Sequence, residues 1–89
     1  MDSLTTERFW KAYKKLPETV QAQAKKAYEL WAGDPFHKSL DFKKIHSKRQ
    51  IYSVRIGIHW RAIGVKEEET ITWFWIGSHA DYDKLIEGM

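Results

Sequence analysis

Residues 71–76 read ITWFWI, and this run constrains the fold more than any other stretch. It is β-branched and aromatic, and it is apolar on both faces of an extended chain. Such a segment is expected in the interior of a sheet, with a neighbour on each side. Two further segments, Ile51–Ile56 and Trp60–Val65, have the same character and precede it. Gly57 marks a bend between them, where a positive φ or a close backbone approach is needed. Lys66–Thr70 (KEEET) reads as a polar turn into the last strand, and Asp41–His46 adds a short edge strand.

The first third has helical periodicity instead. Phe9, Trp10, Tyr13 and Leu16 recur at helical spacing, with Lys11, Lys14 and Lys15 on the other side. Thr5 or Thr6 supplies an N-cap, and Glu7 suits the positive end of the helix dipole. Pro17 ends this helix and starts the next, which is predicted from about residue 18 to residue 32. Val20, Ala24, Ala27, Tyr28 and Trp31 form its apolar stripe. Gly33-Asp34-Pro35 is a stop signal, with Gly33 suited to the left-handed position after the helix. A connection this short makes the two helices an antiparallel hairpin. The expected fold is therefore α+β: an N-terminal helix hairpin packed on an antiparallel sheet of three to four strands, ending in a short helical turn. The first residues, MDSLTTERFW, run almost at once into the helix, so a preceding strand is expected to be missing or very short.

The 89 residues suit one domain spanning 1–89, and a core this small must be dense in large side chains. Five Trp, four Tyr and four Phe provide that. The chain has no Cys, which excludes disulfides and thiolate metal sites and fits a reducing cytoplasm. No apolar run approaches the ~20 residues of a membrane span, and no secretory leader is recognisable. Neither a membrane association nor a cofactor is expected.

Charge is concentrated in the middle of the chain. From His37 to Arg61 there are seven Lys or Arg, three His and a single acid, Asp41. The other 64 residues hold eight basic and eleven acidic ones. A cationic cluster favours polyanionic partners, RNA or DNA first, and a solvated basic loop is the plain alternative.

Strand alternation directs Ser53 and Arg55 to one sheet face and Tyr52, Val54 and Ile56 to the other. Since the second set suits the helices, Arg55 is expected on the open face. After the interior strand comes IGSHADYDKL, where His79 and Tyr82 share one face of a helical turn. An imidazole exchanges protons near neutral pH. A tyrosine donates a proton or stacks on a base, and a guanidinium grips a phosphate in two places. Together these groups suit metal-independent RNA cleavage by attack of a ribose 2′-OH on its own phosphate. Each also has a structural reading: Arg55 in an ion pair, His79 as a helix cap, Tyr82 as a core aromatic. The four His have no metal-ligand spacing, so no metal site is expected.

The order of segments carries a resemblance. LPETV at the helix joint is followed by AGDPFHKSL, YSVRIGIHWRAIG and WIGSHADYDKL. Over about residues 6–86 this resembles the RelE/ParE superfamily of bacterial type II toxin–antitoxin toxins. The resemblance implies two helices against an antiparallel sheet and a small cognate antitoxin as partner. RelE-like members are metal-independent endoribonucleases, many cutting mRNA on the ribosome, whereas ParE-like members poison DNA gyrase. The ribonuclease reading implies Arg55, His79, Tyr82 and His46 as catalytic residues, with His79 as general acid. Lys43, Lys44, Lys48, Arg49 and Arg61 would then contact RNA, and Arg61 has a structural alternative.

Overall fold

The computed structural model describes all residues, 1–89. A five-stranded sheet runs in the order β1-β5-β4-β3-β2. Its strands are β1 (Asp2–Thr5), β2 (Lys43–Lys44), β3 (Ile51–Ile56), β4 (Trp60–Glu67) and β5 (Thr70–Ser78). Helices α1 (Glu7–Lys14) and α2 (Glu18–Gly33) cover one face, and α3 (His79–Glu87) lies against the other.

Two features correct the sequence reading. The sheet is mixed and has five strands, because β1 exists and pairs in parallel with β5, from Asp2 opposite Thr70 to Thr5 opposite Trp73. Its four residues carry little apolar alternation, so the strand is specified by its neighbour rather than by its own sequence. The C-terminal turn is instead a nine-residue helix. Tyr82, Leu85 and Ile86 give it an apolar stripe, and that stripe packs with Ile51, Ile63, Phe74 and Trp75 in a second small core.

The helix signals are borne out with small shifts. Thr6 caps α1, its hydroxyl accepting from the Phe9 amide at 3.1 Å. Pro17 caps α2 without a side-chain bond. Gly33 is the last helical residue rather than the left-handed one, and Asp34 leaves the helix in an extended conformation, φ −149°. Val20, Ala24 and Trp31 of α2 are buried; Trp31 meets Phe42 and Trp73 edge-on, with ring centroids 5.8 and 5.4 Å apart.

The run at 71–76 is the interior strand that its composition requires, and a bulge explains its double-faced apolarity. Ile63 pairs with Trp75 and Gly64 with Trp73, leaving Phe74 as the extra residue. Ile71 and Trp73 therefore face the helix hairpin, while Phe74 and Trp75 pack towards α3. Gly57 takes φ +61° at the β3–β4 bend. No helix is long and apolar enough to cross a membrane.

Candidate active site

The face under α3 gathers most of the polar chemistry. Arg55 on β3 and Arg61 on β4 are directly opposed partners in the sheet. Two like charges so placed repel each other unless an anion joins them. Asp41 is that anion. Its neighbours Leu40 and Phe42 are buried in the main core and pin the segment. Asp41 itself adopts a left-handed conformation, φ 43° and ψ 46°, which Asp tolerates better than most residues. Its Oδ2 then lies 3.3 Å from Arg61 Nη1, 3.4 Å from Lys43 Nζ and 3.8 Å from Arg55 Nη2. Burial pushes the Asp41 carboxyl up, but Lys43, Arg61 and Arg55 outweigh that and hold its pKa below the ordinary aspartate value.

Arg61 is 3% exposed. Besides the Asp41 carboxylate, its Nη2 donates to the Asp41 carbonyl at 3.0 Å and to Ser53 Oγ at 2.8 Å. Tyr82 is equally buried, with its hydroxyl 3.2 Å from Ser53 Oγ. The Arg61 guanidinium carbon sits 5.1 Å from the Tyr82 ring centroid, and the His79 ring meets Tyr82 edge-on at 5.6 Å. A continuous chain thus runs from Asp41 through Arg61 and Ser53 to Tyr82, locking α3 onto the sheet.

His79 opens α3. Ser78 caps the helix, accepting from the Asp81 amide at 3.1 Å, and the His79 amide donates to the His59 carbonyl at 2.6 Å. One turn on, Asp83 Oδ2 lies 3.1 Å from His79 Nδ1. That contact orients the ring and leaves Nε2 for another partner. Lys43, Arg55, Asp41, His79 and Asp83 line one open groove of ≈ 550 Å³, with Ile58 at its mouth. The groove combines cations able to hold a phosphate with an imidazole able to move a proton. No group of three or more His, Asp or Glu forms a metal-binding cluster.

The groove brings together four of the residues singled out in the sequence: Arg55, His79, Lys43 and, beneath them, Tyr82. Arg61 lines it too, but as a buried support whose two terminal nitrogens are engaged inside the protein, not as a surface residue. His46 lies outside. Its Nδ1 accepts the amides of Lys48 and Arg49 at 3.1 and 3.0 Å and so caps the turn before β3. Lys44, Lys48 and Arg49 are exposed on β2 and that turn, outside the groove. Asp41 and Asp83 belong to the site and were not singled out in the sequence. The signals existed: Asp41 is the sole acid among ten basic or imidazole residues, and Asp83 follows His79 at helical i,i+4 spacing.

The family model for the ParE-like toxin domain matches residues 18–84, which is most of the chain and includes every groove residue up to Asp83. The chain belongs to the ParE-like toxin family. No curated protein sequence matches it significantly. Solved structures share the fold of this ParE-like toxin domain. A chain of the RelB–RelE antitoxin–toxin complex from Methanococcus jannaschii superposes with TM-score 0.74 at 20% identity, covering 92% of this chain and 96% of that one. YafQ from E. coli strain BL21(DE3) gives 0.73 at 14% identity, with 91% and 96% covered. The isolated E. coli RelE toxin gives 0.66 at 17%, with 99% and 98% covered. The ParE-like toxin domain therefore has the fold of these toxins along nearly its whole length, and the RelE/ParE resemblance of the sequence is borne out.

Proposed function

We propose that this ParE-like toxin domain is a RelE-type toxin of a type II toxin–antitoxin system and a metal-independent endoribonuclease acting on mRNA at the ribosome. The observation that carries the reading is the convergence of Arg55, Lys43 and His79 on one open groove. In this reading Arg55 and Lys43 hold the scissile phosphate and offset the charge of the pentavalent phosphorane. The 2′-oxygen passes its proton to a solvent water and bonds to phosphorus, the bond to the 5′-oxygen breaks, and His79 Nε2 gives the leaving oxygen its proton. Asp83, at His79 Nδ1, holds the ring in the orientation that this transfer needs.

Tyr82 has a positioning role here, because its hydroxyl is engaged with Ser53 beneath the groove. Arg61 acts through Asp41 and Ser53 in the same way. His46 has no part in the chemistry, since it lies outside the groove that holds Arg55 and His79. Lys44, Lys48 and Arg49 extend the cationic surface beside the groove and attract the RNA backbone. A cognate antitoxin is the protein partner, as in the RelB–RelE complexes that share the fold. The cytoplasm, where mRNA and ribosomes are, is the expected compartment.

The test is cleavage of a translating mRNA by the purified chain, with and without ribosomes, beside Arg55→Ala and His79→Ala. Cuts that need ribosomes and vanish in both variants are expected. Intact mRNA, with inhibition of gyrase supercoiling instead, would overturn the reading.

A further inference from the structure

A second groove, ≈ 720 Å³, lies on the other side of α3 and holds residues that the proposed chemistry does not use. It exists because β1 stops opposite Trp73, so the edge of β5 away from β4 carries no strand from Phe74 to Ser78. Helix α1 forms one wall and α3 the other. Arg8, Lys11 and Lys15 follow one another at spacings of three and four, which makes a single cationic stripe along α1. Lys84 faces them from α3. Against these four cations the lining has one carboxylate, Asp81, although Glu7 draws on Lys11 at 3.8 Å.

The floor is aromatic. Trp60 lines it from the hairpin face of the sheet and Trp75 from the α3 face, and both are only partly buried. Trp75 lies flat along its own strand because residue 77 is glycine: a Cβ there would fall 2.6 Å from Trp75 Cζ2. The lining also includes Ser78, the residue before His79. The linings of the two grooves thus meet in sequence at Ser78 and His79, where α3 begins.

We propose that the α1–α3 groove is a track for single-stranded RNA, holding the nucleotides on one side of the cleaved bond. A rim of flexible cations and a floor of indoles is the combination that single strands use, phosphates on the one and bases stacked on the other. This rests on the ribonuclease reading for its direction from the site, but it uses a separate set of residues. An acidic peptide is the competing occupant; the two indoles and the nearness of Ser78 to His79 in the chain favour RNA.

The test measures binding by fluorescence anisotropy of fully 2′-deoxy, hence uncleavable, oligonucleotides of four and twelve nucleotides, across a salt series. The variants are the Lys11→Ala/Lys15→Ala/Lys84→Ala triple, whose side chains are exposed, and Trp60→Leu. For the twelve-mer the triple should lower the slope of log K against log salt by about 2, at ~0.7 for each phosphate that is no longer neutralised. Trp60→Leu should weaken the twelve-mer roughly five-fold or more with the slope unchanged, since stacking of one base is worth ~1–3 kcal/mol. The four-mer should bind all proteins alike. Equal twelve-mer binding by wild type and triple overturns the track. So does a triple that loses only a poly-glutamate peptide, which would assign the groove to a protein partner. A wild type that cuts no RNA sinks the ribonuclease reading, while the oligonucleotide series still decides the track.

Discussion

Asp41→Asn is the change that most directly probes how the groove is held together. Asn keeps the shape and one acceptor oxygen but removes the charge that joins Arg61, Lys43 and Arg55. Losing the partner of a fully buried charge costs about 3–5 kcal/mol. Here two facts reduce that figure. The Asp41 side chain is 35% exposed, so solvent already screens it, and Arg61 keeps Ser53 Oγ and the Asp41 carbonyl. A loss of ~1–3 kcal/mol is expected. Arg55→Ala, which removes a half-exposed guanidinium 3.8 Å from the same oxygen, should cost no more than ~1 kcal/mol. Urea denaturation at neutral pH separates the two. The pH dependence is a second reading of the same experiment. Folding depresses the Asp41 pKa, so its contribution is complete above the unfolded value near ~3.9 and is lost as pH falls through the lower folded value. The deficit of Asp41→Asn should therefore shrink below pH ~4 in acid denaturation series. A deficit under ~0.5 kcal/mol at neutral pH, or one that is equally large in strong acid, would refute the argument that charge rather than shape organises this cluster.

Other residues give sharper contrasts. Tyr82→Phe should cost about 0.5–1.5 kcal/mol, from the hydroxyl 3.2 Å from Ser53, and leave RNA cleavage within a few-fold; a collapse of cleavage in a folded variant would make Tyr82 a proton donor after all. Asp83→Asn should release the His79 ring, seen as a loss of its Nδ1–H preference in 15N NMR, and should slow cleavage less than His79→Ala does. Gly77→Ala should destabilise by ~1–3 kcal/mol in urea, because the new methyl must displace the Trp75 indole; a neutral effect would mean that the indole moves freely.

Much of this architecture could be read from residue patterns. The interior strand, the Pro17 joint and the Gly57 bend are local signals, each set by side-chain chemistry or backbone sterics within a few residues. Strand alternation also placed Arg55 on the correct face. What escaped was non-local. β1 is specified by its pairing with Thr70–Trp73, and nothing in DSLT announces that. The bulge at Phe74 exchanges the two faces of β5, and a run apolar on both sides cannot reveal where that happens. The length of α3 follows from packing Tyr82, Leu85 and Ile86 under the sheet.

The site divides along the same line. His79 and Arg55 were legible as chemical types at strand ends and on an open face. His46 looked equally suitable, yet its Nδ1 satisfies two backbone amides of a turn, a local demand that residue type does not disclose. Arg61 could be read as an RNA contact or as a structural residue, because its burial depends on Asp41, twenty positions away.

If Arg55 and His79 act on one phosphate, the chemistry of the RNA ends must show it. The measurement is the identity of the termini left on ribosome-bound mRNA by the wild-type chain, by Arg55→Ala and by His79→Ala. All three proteins should first be shown folded by circular dichroism. The wild type should leave 2′,3′-cyclic phosphate and 5′-hydroxyl ends, and each variant should lose cutting by ~10²-fold or more. Ends bearing 3′-hydroxyl and 5′-phosphate, or cutting that persists unchanged in both variants, would contradict it.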